Sequence, residues 1–179
     1  MTVVDTAENQ QEAAVILQQP DLRLRQRSVQ RRCFDAELIV QVNNLRVVML
    51  QGVGGVGIAA PQIGWFERVI VVDCSLANRP CRHHGLLMMV NPRIVDASEK
   101  MKLGREGCLS VPDWVGMVER HQMVRVAYED LMGVSQVIES HHYEARVIQH
   151  EIDHLDGVLF TDRVVSTRDL VRRMVLDQV

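Results

Sequence analysis

A run of twenty residues without a charged side chain, from Val47 to Phe66, most constrains how this chain can fold. Its length suits a membrane-spanning helix, but five glycines and Pro61 interrupt it, and such residues weaken or break helices. The N-terminal sequence MTVVDTAENQQE is polar and lacks the basic start and apolar centre of a signal peptide. We therefore expect a cytoplasmic protein without a membrane partner, and another reason for the absence of charge.

The glycines of this run also imitate a nucleotide-binding loop. Gly52 to Gly57 spell G-x-G-x-x-G, and Asp73 follows where a ribose-binding carboxylate would stand. That fingerprint needs a helix that opens on the third glycine, whereas Pro61 and Gly64 occupy positions of the helix interior. The pattern therefore favours a turn over a dinucleotide site.

Composition indicates a compact domain with a core built mainly from aliphatic residues. The 179 residues are 47% hydrophobic, so we expect one domain over residues 1–179. Twenty basic residues against 23 acidic ones give a net charge of −3, which argues against sequence-specific nucleic-acid binding as the main task. Cys33, Cys74 and Cys81 are expected to be small buried apolar residues.

Apolar spacing predicts three helices. The first runs from Ala36 to Gln51 behind a capping Asp35, and its apolar stripe is Leu38, Val42, Leu45 and Met49. The second, EARVIQHEIDHL, covers residues 144–155 and stops at Asp156 and Gly157. Ser166 and Asp169 resemble a capping box that starts a last helix. The apolar stripe of that last helix is Leu170, Val171, Met174 and Val175.

The strands predicted between these helices are short and separate. Arg68–Asp73 and Leu86–Val90 are typical of buried strands, and Asn91 and Pro92 are expected to close the second. Shorter candidates are Met117–Val118, Val124–Tyr128 and Val134–Ile138. Helices and strands in this order indicate a single α+β domain.

The second helix contains His150, Glu151 and His154 in the pattern H-E-x-x-H. Residues four apart lie on one helix face about 6 Å apart along the axis, so two imidazoles so placed can converge on one metal ion. The glutamate can then reach a water molecule at the ion without being a ligand. The alternative is a helix with two hydrogen-bonded histidines and a solvated glutamate.

A catalytic ion of this type usually has three protein ligands, and the third is not evident downstream. Phe160 stands where a metzincin would have its third histidine, and no glutamate follows Glu151, as a gluzincin would require. Upstream, Cys108 offers a thiolate. Asp162 and Asp169 remain as alternatives without special spacing.

Three blocks of the chain together resemble the peptide deformylase family. They are Gly55–Gln62 (GVGIAAPQ), Glu106–Ser110 (EGCLS) and Gln149–Gly157 (QHEIDHLDG), in the family's order. Weaker likeness extends to Pro20–Arg25 and Val90–Pro92, so the resemblance covers nearly the whole chain. It implies an α+β fold in which small mixed or antiparallel sheets pack around a central helix that carries H-E-x-x-H, with a C-terminal helix.

The same resemblance implies the chemistry. The chain would be a metal-dependent hydrolase that removes the N-formyl group from the formylmethionine of newly made polypeptides and releases formate. Cys108, His150 and His154 would hold one divalent ion, Fe²⁺ with Zn²⁺, Ni²⁺ or Co²⁺ as substitutes. Glu151 would carry the proton from the attacking water to the departing amine.

Further residues receive roles from the resemblance. Gln62 and the backbone N–H of Leu109 would donate to the developing oxyanion, and Val56 and Gly57 would pair with the substrate peptide. The partners would be N-formylmethionyl peptides and nascent chains. A transient ribosome contact could use the arginines around the last helix, although a solvated face is the simpler interpretation: Arg163, Arg168, Arg172 and Arg173.

The chain departs from the family after the second block. An Arg or Tyr commonly stands three residues after the proline there, and a Gly commonly follows that proline; here Pro112 is followed by Asp113, and Val115 takes the later place. We expect an effect on affinity and substrate range more than on chemistry. Two alternatives therefore stay open: a deformylase-like amidase with altered acyl or peptide preference, and a catalytically idle peptide-binding homologue.

Overall fold

A computed structural model describes residues 15–173 as an α+β arrangement. In this part of the chain the α-helices are α1 (Ala36–Gln51) and α2 (His142–Leu155). The strands are β1 (Gly57–Ala59), β2 (Val69–Asp73), β3 (Leu86–Ala97), β4 (Met101–Cys108), β5 (Val111–His121), β6 (Met123–Glu129), β7 (Ser135–His141) and β8 (Val171–Arg172). None of the helices described is long and apolar enough to cross a bilayer.

Helix α1 has the bounds and the buried face predicted from its apolar spacing. The Asp35 carboxylate accepts a hydrogen bond from the backbone N–H of Leu38 at 3.0 Å and so caps the first turn. The helix ends at Gly52. All four residues of the predicted stripe are completely buried.

Strands β1, β2, β3, β6 and β7 form an antiparallel sheet in the order β1-β2-β3-β6-β7. Every residue of β2 is buried, because both faces of the sheet are covered. Ile70 and Val72 share a core cluster with residues of α2, whereas Val69 and Val71 share one with α1. The two helices therefore lie on opposite faces of this sheet.

Strands β4, β5 and β8 form a second, three-stranded sheet with its own apolar cluster, which includes Leu24, Val118 and Phe160. Helix α2 contacts strands of both sheets. The predicted architecture, with antiparallel sheets packed around the helix that carries H-E-x-x-H, is confirmed.

Several predicted boundaries are wrong because longer pairings override the local signal. Strand β3 does not end at Asn91 but continues to Ala97. Asn91 has a positive φ and lies at a register shift between Val90 and Arg93, so the pairing with β6 resumes beyond it. The Met117–Val118 candidate is the middle of the eleven-residue strand β5. Strand β4 was not predicted, because its sequence MKLGREGC has two glycines and no β-branched residue.

The start of the predicted last helix is also corrected. Ser166 caps a 3-10 turn over Thr167–Asp169, after which Val171 and Arg172 form β8. Val171 and Arg172 pair with Val115 and Trp114 of β5. Hydrogen bonds to this neighbouring strand satisfy their backbone groups in place of bonds within a helix. The remaining residues of the predicted stripe, Met174 and Val175, lie outside the described residues.

The uncharged run from Val47 to Phe66 contains three different structures. Its first residues complete α1, Gly57 opens strand β1, and a 3-10 turn covers Ala60–Ile63. No α-helix opens on the third glycine of the G-x-G-x-x-G pattern. Among the other cysteines Cys74 is buried as expected, but Cys33 is exposed and Cys81 is half-buried, so the expectation fails for Cys33.

Candidate metal centre and active site

The second and third sequence blocks meet where the last residue of β4 faces α2. The Cys108 sulfur lies 3.2 Å from Nε2 of His154, and the rings of His150 and His154 have centroids 5.0 Å apart. One ligand atom of each residue lies within 4.8 Å of the others, and all three side chains are buried. The four-residue spacing on α2 thus places both imidazoles on the face that meets β4.

Glu106 orients the first of these histidines. Its Oε2 lies 2.9 Å from Nδ1 of His150, which leaves Nε2 of that ring free to act as a ligand. Arg120 contacts both oxygens of Glu106 at 3.0 Å, and Arg146 donates to Oε1 at 2.7 Å. Burial raises the pKa of Glu106, but hydrogen bonds from His150 and Arg120 outweigh burial, so its pKa lies well below the usual range.

The ion pairs of Glu106 with Arg120 and Arg146 extend to Asp153 on α2. Arg120 donates from Nη1 to Asp153 at 2.6 Å, and Arg163 donates to the same carboxylate through Nε at 2.5 Å and Nη2 at 2.6 Å. Glu106, Arg120 and Asp153 are all buried. Each buried charge therefore has an opposite charge within hydrogen-bonding distance, which is the condition for ions to be tolerated in a protein interior.

Glu151 lies in the same buried region but has no such partner. Its Oε2 atom has no hydrogen bond within residues 15–173, and the residue is 4% exposed. Burial raises the pKa of this carboxyl to about 7. A Cβ added to Gly57 would come within 2.5 Å of Glu151 Oε1, so the backbone of β1 passes directly beside the carboxylate.

Gln62 is held in the site by bonds at both ends of its amide. Oε1 accepts from the backbone N–H of Ala59 at 2.8 Å, while Nε2 lies 3.1 Å from Ser110 Oγ and 3.6 Å from the Cys108 sulfur. The amide nitrogen is therefore directed towards the sulfur, as a donor. The Cys108 sulfur also accepts from the backbone N–H of Ser110 at 3.4 Å.

These residues line one pocket. Its walls are the glycine segment Val53–Gly57, the β4 segment Arg105–Leu109, and α2, which contributes Tyr143, Arg146, Val147, His150 and Glu151. Gln62 and Arg173 complete the lining. The absence of charge from Val47 to Phe66 thus has a structural reason, since Val53–Gly57 and Gln62 line this pocket, and Val48, Met49 and Ile58 are buried in the core.

The donors present suit a single divalent ion. Ligands that share one zinc-like ion lie about 3 to 4 Å apart, close to the spacing found here, and one thiolate with two imidazoles is a ligand set that such ions accept. Nδ1 of His154 and Oε2 of Glu151 are buried without a hydrogen-bond partner in residues 15–173. Such atoms are expected where an ion, water or a substrate completes the bonding.

Several residues of this site were not predicted from the sequence. Glu106 lies within a motif but had no predicted role, and Tyr143, Arg146 and Arg120 were not predicted at all. The helical period could have found Arg146, which precedes His150 by four residues and so shares its face. Arg120 and Arg173 carry no comparable signal, because pairing between strands brings them to the site.

A helix with H-E-x-x-H, a cysteine from a facing strand and a buried unpaired glutamate define a site of the metallohydrolase type. Residues 13–169 match the Polypeptide deformylase family. A peptide deformylase of Desulfotalea psychrophila is 38% identical over 159 residues, covering 87% of this chain and 90% of the relative.

Solved structures of peptide deformylases are also similar to this chain. The peptide deformylase of Thermotoga maritima superposes with a TM-score of 0.78 at 33% identity, over 86% of this chain and 98% of the other. A Met-Ala-Ser-bound class I type b peptide deformylase from Acinetobacter baumannii also has a TM-score of 0.78, at 35% identity over 85% and 98% of the two chains. The chain belongs to the peptide deformylase family, whose members are metal-dependent hydrolases that act on formyl-Met peptides.

Proposed function

We propose that this chain deformylates the N-terminal formylmethionine of nascent polypeptides in the cytoplasm, and that residues 1–179 act as one catalytic domain. The convergence of Cys108, His150 and His154 beside the unpaired Glu151 is the observation that carries the proposal. Since this donor set and Glu151 are intact, a catalytically idle homologue is not favoured.

Cys108, His150 and His154 would hold the ion, which we propose to be Fe²⁺, with Zn²⁺, Ni²⁺ or Co²⁺ able to replace it. When bound, such an ion supplies a Lewis acid that polarises the formyl oxygen and makes water a better nucleophile. Glu106 keeps the His150 ring in place through Nδ1. A site with one thiolate and two imidazole donors suits each of these metals.

Glu151 would act as the proton carrier. With a pKa raised to about 7 by burial, its carboxylate can accept a proton from the attacking water near neutral pH and can then deliver that proton to the departing amine. The water adds to the formyl carbon, the C–N bond breaks, and the products are formate and a free amino terminus.

Gln62 and Leu109 would stabilise the negative charge that develops on the formyl oxygen. The bond from Ala59 fixes the Gln62 amide so that its Nε2 faces the site, and the backbone N–H of Leu109 provides the second donor. Val56 and Gly57 would pair with the backbone of the substrate peptide, as an added strand. Any contact with the ribosome would be transient, and we propose no membrane or sequence-specific nucleic-acid partner.

The proposal is tested by formate release from formyl-Met peptides, using full-length protein loaded with Fe²⁺ without oxygen. Glu151→Gln should lower kcat by about 100- to 10,000-fold while metal content stays unchanged, because it removes the proton carrier and no ligand. Cys108→Ala should lose tightly bound metal. Absence of formate from metal-loaded wild-type protein, or near-full activity of Glu151→Gln, would contradict the proposal.

A further inference from the structure

The surface around the catalytic pocket carries an excess of positive charge, although the chain as a whole has a net charge of −3. Seven cationic side chains line the pocket or the grooves that adjoin it, and within residues 15–173 none has a carboxylate oxygen within 4.0 Å: Arg79, Arg82, Lys102, Arg105, Arg168, Arg172 and Arg173. We call this set the basic rim. Asp169 lies at its outer end, beside Arg172.

Two members of the basic rim reach the pocket itself. Arg105 and Gly107 lie two residues apart on β4 and therefore point to the same face of the strand. The guanidinium of Arg173 lies over Gly107, since a Cβ added there would be 2.8 Å from its Nη2. Arg173 is held there by the β8–β5 pairing and by its backbone N–H, which donates to the carbonyl of Asp113 at 2.7 Å.

The third arginine of the pocket differs from these two, because its charge is already compensated. Arg146 donates to Glu106 and to the backbone carbonyls of Lys102, Gly104 and Val118. It is buried and its donors are in use. It therefore has a structural role, tying α2 to the β4–β5 pair.

The pocket's own carboxylates do not neutralise the basic rim. Glu106 is saturated by Arg120, Arg146 and His150, and Glu151 is buried beside β1. Arg105 is exposed and Arg173 is half-buried, so the guanidinium N–H groups of both can donate hydrogen bonds to a ligand in the pocket. A half-buried arginine without a counter-ion is stabilised when a ligand supplies a negative charge.

We infer that the basic rim selects formyl peptides with an acidic side chain at the first or second position after the formylated residue. The inference deepens the proposed function, on which it rests. In this proposal a peptide paired with the backbone at Gly57 extends along the pocket that Arg105 and Arg173 line, which brings its next residues towards these two arginines. Two exposed or half-buried ion pairs of ordinary strength correspond to about a two- to thirtyfold preference.

The experiment compares kcat/KM for amidated peptides that lack a terminal carboxylate. The series is formyl-Met-Ala-Ser-amide with Asp or Lys placed in turn at the second and third positions, assayed with the metal-loaded full chain. We expect the better aspartate peptide to exceed the neutral peptide by about two- to thirtyfold, and the lysine peptides to fall below the neutral one. The preference should shrink at about 1 M salt, where the screening length falls to about 3 Å.

Variants test whether the preference for acidic peptides comes from the basic rim or from the overall charge of the protein. In the double variant Arg105→Gln, Arg173→Gln, the ratio of kcat/KM for the aspartate peptide to kcat/KM for the neutral peptide should fall to about one. Arg32→Gln is the matched control, because Arg32 is exposed and lines a groove away from the pocket, and it should retain the preference. Equal constants for all peptides, or an acidic preference that survives in the double variant, would overturn the inference.

Two other outcomes are distinguishable. If no peptide of any charge releases formate from metal-loaded protein, the proposed function fails and the inference fails with it. If acidic and neutral peptides react alike, but a short RNA hairpin inhibits the wild-type enzyme and not the double variant, the basic rim binds nucleic acid and the peptide-selection inference is wrong.

Discussion

At the residue scale, Glu106 links the candidate metal centre to the interior of the protein. Its carboxylate lies between His150, which offers a metal ligand, and two arginines, Arg120 and Arg146. A buried carboxylate that is bonded to three side chains, two of them arginines, is tolerated because each hydrogen bond compensates part of the lost hydration. Its effect on catalysis would be indirect, through the orientation of the His150 ring.

We predict that Glu106→Gln lowers the free energy of unfolding by about 3–5 kcal/mol, because it leaves the buried Arg146 without its counter-ion and leaves Arg120 with Asp153 alone. Metal affinity should fall by about 10- to 100-fold, since the ring of His150 loses its negatively charged acceptor. Urea unfolding of metal-free protein and competition with a chelator measure the two effects separately. Glu99→Gln is the control; Glu99 is exposed and should change stability by less than about 0.5 kcal/mol. An unchanged metal affinity would remove Glu106 from any role in positioning the ligand.

At the element scale, α1 and α2 have different roles: α1 packs in the core, and α2 also lines the pocket. Helix α1 covers one face of the larger sheet and contributes no side chain to the catalytic pocket, whereas α2 packs on the other face and carries both histidines and Glu151. Changes in α1 should therefore affect stability and leave the chemistry intact.

The N-cap of α1 offers a test of this division. Asp35→Ala should cost about 1 kcal/mol of stability, because the backbone N–H of Leu38 loses its acceptor. Asp35→Asn is the matched control, since it keeps a capping oxygen while it removes the charge that faces Arg31. Thermal unfolding measures the difference, and kcat/KM for formate release should stay the same in both. A large fall in activity without loss of stability would contradict the division of tasks.

At the scale of the whole molecule, contacts distant in sequence hold the N-terminal segment against the region after α2. Arg25, in the 3-10 turn Leu22–Arg25, pairs with Asp162, and Asp162 also accepts from the backbone N–H of Leu159 at 2.8 Å. Burial raises the pKa of Asp162, but the hydrogen bonds from Arg25 and Leu159 outweigh burial, so its pKa lies below the usual value.

The sign of this pKa shift predicts how stability depends on pH. A carboxyl whose pKa is lower in the folded state contributes stability above its unfolded pKa of about 3.9 and loses that contribution as the pH falls through the folded value. Asp162→Asn should therefore lose stability at pH 7 and lose less on acidification below about pH 4 than the wild type does. Asp96→Asn, an exposed residue outside the ion pairs of residues 15–173, is the control. Parallel acid-unfolding curves for wild type and Asp162→Asn would contradict the prediction.

The sequence alone predicted what depends on local spacing. The period of α1, the cap at Asp35, and the placement of His150 and His154 on one helix face are all set within about one or two helical turns. The search for a third ligand pointed to Cys108, and motif resemblance supported it and added Gln62; Cys108 lies beside His154, and Gln62 beside Cys108. Local pattern was misleading at Ser166, where a capping residue opens a 3-10 turn in place of a helix.

The tertiary structure decided what depends on pairing between distant segments. Strand β4 has little strand propensity and forms because β5 supplies its partner along its length, which carries Glu106 and Cys108 to α2. Arg120 reaches the metal centre from β5, and Arg173 reaches the pocket through β8, neither of which local spacing indicates. The sequence thus determined which groups can perform the chemistry. Tertiary packing decided which charges surround them, because hydrogen bonds between strands and the burial of ion pairs depend on neighbours far apart in the chain.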